Sequence, residues 1–261
     1  MELEGRTVLV TGANRGIGLA IASRLAQEPV RLLVGVRSRE RYAEPEPGEE
    51  RRALEVRPLE VDLSSRESIE RAWSEHGEEL GRVDVLVNNA GEFAGGRLER
   101  IELDQLYTTV QANLTGLMHL TQRVLPGMLE RGEGKIVNQA SIMGYAQFPG
   151  TSVYAATKAG VTAFTECLRR ELEGTGVTTL ELVTGGYDTD MLREAGAILS
   201  EHTDPSSWEW QDPGDWAEKI LDAIKADKDR LEPGGKSQFA RLAAKGPTGL
   251  MDAVTKRAFD R

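Results

Sequence analysis

The sequence predicts a single α/β domain, a doubly wound parallel sheet with helices on both faces. Three observations carry that expectation. Short apolar runs alternate with segments of helical period along most of the chain, the order that βαβ units produce. Glycine is frequent, at 28 residues against 10 prolines, which suits a fold with many strand-to-helix turns. A chain of 261 residues is long enough to bury one large core.

The elements follow in order. Arg6 to Val10 is an apolar run, Thr11 to Gly18 (TGANRGIG) is a glycine turn, and Leu19 to Gln27 has helical spacing. Strand, glycine turn and helix in that order open a dinucleotide site, because glycines let the backbone approach a pyrophosphate and the helix N-terminus faces its charge. Three residues separate Gly12 from Gly16, so the turn is longer than the common fingerprint. Arg31 to Val36 is the second strand. Its end, Gly35-Val36-Arg37, carries no acid for ribose hydroxyls until Glu40, whereas Arg37, with Arg15 in the glycine turn, offers positive forks for a 2′-phosphate. NADP is therefore the expected cofactor.

The prolines of Glu44 to Gly48 (EPEPG) keep that stretch out of a helix, so the second crossover reads as a loop with at most a short helix over Glu49 to Leu54. Val56 to Val61 is the third strand, ending at Asp62, whose carboxylate either accepts from an adenine amino group or caps the helix starting near Ser65. Ile69 to Leu80 is helical, with Trp73 as a packing residue. Val83 to Val87 is a strong fourth strand, and Asn88-Asn89-Ala90-Gly91 after it suits a tight turn beside a ligand, its amides tying neighbouring strands. Leu103 to Leu129 carries one long helical pattern or two. Asn113 within it needs partners if buried and reads as a hydrogen bond inside the helix layer or as a functional group.

Gly134 to Gln139 is the fifth strand and delivers Ser141 at its C-terminal end, where open α/β sheets place ligands. Ser152 to Leu172 is a helix closed by Gly174. Within it Tyr154 and Lys158 stand four residues apart, so both point from one face. Ser141 returns to them through the Phe148-Pro149-Gly150 turn. The triplet suits hydride transfer, in which a proton must move on or off the substrate oxygen. A free phenol has a pKa of about 10, and a neighbouring ammonium favours phenolate. Val177 to Val183 is a sixth strand, and Leu192 to Asp212 shows no clear period, so residues 187–212 form a candidate substrate loop or lid. Asp212 and Pro213 start a helix to Ala226, and Arg230 to Gly235 holds a short last strand or only a turn.

Composition narrows the partners. A formal charge of −10 argues against nucleic acid. Cys167, the one cysteine, allows neither an internal disulfide nor a cysteine metal cluster, and reads as a buried or half-buried helix residue; no metal site is expected. There is no stretch of eighteen apolar residues and no signal-peptide pattern at MELEGRTVLVTG, so a cytoplasmic protein without a membrane span is expected. Residues 236–261 hold six basic and two acidic side chains in two amphipathic runs. This tail packs on its own domain, meets a partner subunit or touches an anionic membrane surface.

Taken together, the glycine turn TGANRGIG, Asp62, NNAG at 88–91, Asn113, Ser141 and YAATK at 154–158 resemble, in order and spacing, the short-chain dehydrogenase/reductase family from about Gly5 to Met191. The resemblance implies a Rossmann-like single domain spanning 1–261 and a catalytic set of Asn113, Ser141, Tyr154 and Lys158. In that set the tyrosine is the general acid/base, the lysine lowers its pKa and holds the nicotinamide ribose, the serine positions the substrate oxygen and the asparagine keeps a relay water. It further implies cofactor contacts from Gly12, Asn14, Arg15, Gly16, Ile17, Gly18, Arg37, Asp62, Leu63, Asn89, Ala90, Gly91, Tyr154, Lys158, Gly185 and Thr189. Three departures stand out: Thr184-Gly185 replaces the family's Pro-Gly, EPEPG interrupts the second crossover, and the usual ending with a glycine-containing turn and a short Val-Asp-Gly-Gly-like strand is absent. The expected turn at Thr184 is less rigid, and the expected assembly is a homodimer through the two long helices, with a tetramer as the alternative.

The function expected is NADP(H)-dependent interconversion of a carbonyl and an alcohol. The alternatives are a dinucleotide-binding regulatory or scaffold protein without chemistry, and a lyase or epimerase on the same fold. Phe93, Tyr145, Phe148, Tyr187, Met191, Leu192, Leu199, Trp208 and Trp210 are the candidate pocket walls, with Arg97 and Arg193 as the cations near them. They suit a medium-sized, mostly apolar carbonyl or alcohol.

Overall fold

The computed structural model describes residues 1–42, 51–200, 206, 208 and 210–234. Seven parallel strands form one sheet: β1 (Thr7–Thr11), β2 (Arg31–Val36), β3 (Glu55–Glu60), β4 (Val85–Asn88), β5 (Gly134–Gln139), β6 (Val177–Leu182) and β7 (Arg230–Leu231). Their order is β3-β2-β1-β4-β5-β6-β7. The chain reverses direction of growth between β1 and β4, so a crevice opens above the C-terminal ends of those two strands.

Among the described residues, seven α-helices cover the faces: α1 (Gly16–Leu25), α2 (Arg66–Leu80), α3 (Leu103–Val110), α4 (Gly116–Arg131), α5 (Ser152–Glu171), α6 (Asp190–Leu199) and α7 (Pro213–Lys225). Successive residues of a strand point to opposite faces, and β1 divides its side chains accordingly. Val8 and Val10 join Ile21 and Leu25 of α1 and Trp216, Ile220 and Ile224 of α7 in one core. Leu9 joins Ile69 of α2, Leu120 and Val124 of α4 and Leu168 of α5 in the other. Each such buried aliphatic contributes about 1.5–3 kcal/mol. Strands buried on both faces explain why β1 and β2 read as near-continuous apolar runs rather than alternating ones.

Local chemistry sets the helix ends. Ser65 caps α2 by accepting from the Ser68 N–H, and Asp212 caps α7 by accepting from Gly214 and Asp215, with Pro213 in the first turn. Asp62 is therefore not the cap of α2; its Oδ1 accepts instead from the backbone and hydroxyl of Ser64. Between α3 and α4 the helix widens into a π turn over Gln111–Thr115, where the Gly116 N–H reaches back to Gln111 O. One long helical pattern thus becomes two helices around an inserted turn, with Asn113 at its centre.

Several expectations need correction. Residues 192–199 are not aperiodic: they belong to α6, whose cap is Thr189, accepting from the Leu192 N–H. In the second crossover, residues 51–54 form no helix, and the N–H groups of Arg52 and Ala53 bond Ala26 O instead. The EPEPG stretch and the tail 236–261 lie outside the described residues. Cys167 is exposed on α5 rather than buried, because it falls on the outward face of that helix.

Candidate active site

A cavity of about 490 Å3 opens above the C-terminal ends of the strands. It is lined by Gly12, Asn14, Arg15, Gly16, Ile17 and Gly18 of the glycine turn, Arg37 after β2, Asp62 and Leu63 after β3, and Asn89, Ala90 and Gly91 after β4. Tyr154, Lys158, Gly185 and Thr189 complete the same wall. The glycine turn packs so closely that side chains are excluded from it. A Cβ on Gly12, where φ is +63°, would stand 2.8 Å from Ala90 Cα, and one on Gly18 would stand 2.3 Å from Gly12 O and 2.4 Å from Asn89 Nδ2. Backbone amides at the start of α1 therefore face the cavity without cover, an arrangement that fits a pyrophosphate.

Asparagine amides hold this frame. Asn89 Nδ2 donates to Thr11 O at 3.0 Å, and the N–H groups of Asn89 and Ala90 both donate to Thr11 Oγ1 at 3.1 Å. Asn88 Nδ2 donates to Asn138 Oδ1 at 2.9 Å and so ties β4 to β5. Thr11 was not foreseen as part of the site; a hydroxyl residue at the end of an otherwise apolar strand was the available signal.

Ser141, Tyr154 and Lys158 meet at the cavity floor, all three buried. The Ser141 hydroxyl and the Tyr154 phenol both line the cavity, and the serine favours the ionised phenol. The Ser141 oxygen accepts from the Met143 N–H at 3.2 Å, fixing the start of a 3-10 turn over Ile142–Gly144. Lys158 Nζ lies 5.6 Å from the centre of the Tyr154 ring and donates to Gln139 O at 2.7 Å. Burial pushes the Tyr154 phenol up to about 12, against the smaller downward pull of Ser141, and burial brings Lys158 down to about 8. The sequence suggested an ammonium lowering the phenol. In this geometry desolvation dominates, and the phenol keeps its proton at neutral pH.

Asn113 does not open onto the cavity. Its Oδ1 accepts from Glu92 N at 2.7 Å, and its Nδ2 donates to Glu92 O at 2.8 Å and to Thr157 Oγ1 at 3.1 Å. Thr157 in turn donates to Tyr154 O at 2.7 Å. The side chain thus ties the loop after β4 to the helix turn that carries the tyrosine. Thr157 was missed by sequence reasoning, although it sits between the two catalytic candidates in YAATK.

The outer part of the cavity is apolar: Phe93, Met143, Phe148, Tyr187, Met191, Leu192, Ala195, Leu199 and Trp208 line it. The Phe93 ring is 5.2 Å from that of Tyr154. Tyr145 is not part of this wall, contrary to expectation. Its hydroxyl donates to Glu181 Oε1 at 2.7 Å, Glu181 is also held by Arg230, and burial with that carboxylate pushes the phenol up to about 12. Trp210 lies outside the lining as well, stacked on Trp208 with ring centres 6.5 Å apart. Arg97 and Arg193 are likewise absent from the lining, Arg193 being paired with Asp188 at 2.8 Å. Thr184 is firmly held rather than loose: its Oγ1 accepts from Gln139 Nε2 at 2.7 Å and its carbonyl from the Ile142 N–H. Among the described residues no cluster of His, Cys, Asp and Glu suits a metal, and no helix is long and apolar enough to cross a membrane.

Known proteins share this arrangement. The family model described as short chain dehydrogenase matches residues 6–198. The 3-oxoacyl-(acyl-carrier-protein) reductase FabG of Vibrio cholerae is 36% identical over 193 residues, covering 74% of this chain and 78% of that protein. The protein of the same name from Thermotoga maritima is 34% identical over 197 residues, covering 73% and 78%. A solved short-chain dehydrogenase from Streptomyces avermitilis aligns with a TM-score of 0.76 at 27% identity, over 97% of this chain and 94% of that one. Another, from Burkholderia cenocepacia and solved in complex with NADP, aligns over the full length of both chains with a TM-score of 0.81; at 22% identity it attests the fold alone.

Proposed function

From the premise that this chain is an oxidoreductase of the short-chain dehydrogenase/reductase family, we propose that it interconverts a mostly apolar carbonyl compound and its alcohol, using NADP(H), with Tyr154 as general acid/base. The observation that carries the reading is the meeting of Ser141, Tyr154 and Lys158 at the floor of a cavity whose other end is the glycine turn. When bound, the nicotinamide supplies or accepts the hydride. Tyr154, kept as a phenol by its burial, donates its proton to the carbonyl oxygen as the alcohol forms and recovers it in the reverse direction. Ser141, on the same cavity wall, holds the same oxygen. Lys158 carries a titratable charge beside both, and Asn113 acts by holding Thr157 and the β4 loop in place.

Arg15 and Arg37 support the preference for the phosphorylated cofactor, since both line the cavity and no acid ends β2. The apolar wall from Phe93 to Trp208 supports the substrate class. A homodimer through the two long helices, or a tetramer, is the assembly proposed, and exposed Leu129 on α4 is apolar surface available to it. A panel of ketones, aldehydes, sugars and hydroxyacyl compounds, followed by NADPH oxidation in the parent and in Tyr154→Phe, tests the proposal. Turnover of apolar ketones by the parent, reduced at least about a hundredfold in the variant with cofactor affinity kept, is the expected result. A variant working at the parent rate refutes the role of Tyr154, and turnover confined to sugars or acidic metabolites refutes the substrate class.

A further inference from the structure

Arg37 leaves the end of β2 and Glu92 follows β4, with β1 lying between them in the sheet. Neighbouring strands stand about 4.8 Å apart, so two side chains reaching toward each other must close about 10 Å. They do: Arg37 Nη1 donates to Glu92 Oε1 at 2.7 Å. Both residues line the cavity, so the ion pair crosses the groove above the C-terminal end of β1, next to the glycine turn.

The two ends of this bridge differ in freedom. Glu92 is anchored, because its backbone N–H and carbonyl are both held by the Asn113 amide and its side chain is only a quarter exposed. Arg37 is the freer partner, its side chain 58% exposed. Its planar guanidinium presents a fixed fork of donors, and each edge matches one carboxylate or one phosphate face. On the cofactor reading given above, the same fork receives a ribose 2′-phosphate. A carboxylate already within hydrogen-bond distance of that fork must be displaced or share it, and it repels the incoming dianion. A cofactor with a plain 2′-hydroxyl brings no such anion and leaves the pair alone.

We propose that Glu92 is a specificity-determining residue whose carboxylate competes with the 2′-phosphate for Arg37 and so tempers the preference for NADP(H) over NAD(H). Arg37 raises the preference and Glu92 lowers it. The sequence places an acid directly after NNAG, yet the meeting of residues 37 and 92 needs the fold to become visible. The competition is modest in size, because a solvent-facing ion pair is a weak interaction.

The test measures dissociation constants of NADPH and NADH by nicotinamide fluorescence in the parent, Arg37→Ala, Glu92→Gln and the double variant. Glu92→Gln keeps side-chain length and the backbone bonds to Asn113, and Glu92→Ala serves as a second removal of the charge. The expected result is a rise of about two- to fivefold in the NADPH:NADH preference on removing the Glu92 charge, the size that a surface ion pair allows. The rise is smaller in the Arg37→Ala background, where the contested group is missing. If Arg37→Ala lowers the preference while neither Glu92 variant changes it, the inference is overturned and the cofactor reading stands. If Arg37→Ala leaves the preference unchanged, the cofactor reading falls and takes the inference with it.

Discussion

Replacing Asn113 with alanine separates two roles that sequence alone left open. The substitution removes three hydrogen bonds, of 2.7, 2.8 and 3.1 Å, the last buried and the others partly so, and with them the link between the β4 loop and Thr157. At a net of about 0.5–1.5 kcal/mol for each bond, the loss comes to about 3 kcal/mol. For a domain of this size each kcal/mol lowers the melting midpoint by about 2–4 °C, so a fall of about 6–12 °C is expected. Calorimetry of the cofactor-free protein gives this number directly, and nicotinamide fluorescence shows dinucleotide affinity falling with it, because Glu92 and Gly91 lose their anchor. A variant that melts within about 2 °C of the parent yet has lost turnover refutes the reasoning. The Asn113 side chain would then belong to the proton path and not to the frame.

Two further outcomes follow from the geometry. Lys158 falls from its ordinary value to about 8 through burial, so below pH 8 the buried charge is a full penalty to the folded state. Between pH 8 and about 10.5 the folded protein has shed the proton that the unfolded chain still holds, and stability rises with pH by up to about 3 kcal/mol. Denaturant unfolding of the parent and Lys158→Met at pH 7 and 10 reads this as a difference that grows in the parent's favour; a difference flat with pH refutes it. Gly18→Ala must push a methyl group into Gly12 O and the Asn89 amide, costing about 1–3 kcal/mol and disrupting dinucleotide binding. Gly174→Ala, at φ +79° with open space around it, carries only its backbone strain and leaves binding unchanged; equal behaviour of the two variants refutes the cradle.

What was legible in the chain is what local chemistry writes. Strands buried on both faces announce themselves as apolar runs, and β1 and β2 fall where the runs do. Tyr154 and Lys158 were readable because helical spacing alone puts them on one face. Helix α6 escaped because its cap, Thr189, lies three residues before the point from which the period was sought; Met191, Ala195 and Leu199 then show the i, i+4, i+8 spacing. Tyr145 was misplaced because its partner Glu181 is 36 residues away on β6, and no local pattern encodes that meeting. The Arg37 to Glu92 bridge, 55 residues long in sequence, was hidden for the same reason. The sign of the Tyr154 perturbation was also beyond reach, since burial is a property of the packed core and not of residue spacing.

The strand order carries a consequence for how the protein meets its neighbours in a crowded solution. An unpaired strand at a sheet margin is a template on which another chain can add its own backbone, the first step toward aggregates. Here β3 forms one margin, and Pro58 withholds a donor from its ladder while Glu55, Arg57 and Glu60 place charge along it. At the other margin the described part of β7 is two residues long, too short to nucleate pairing. Among the described residues, neither flank offers a long, uncharged strand for backbone recruitment.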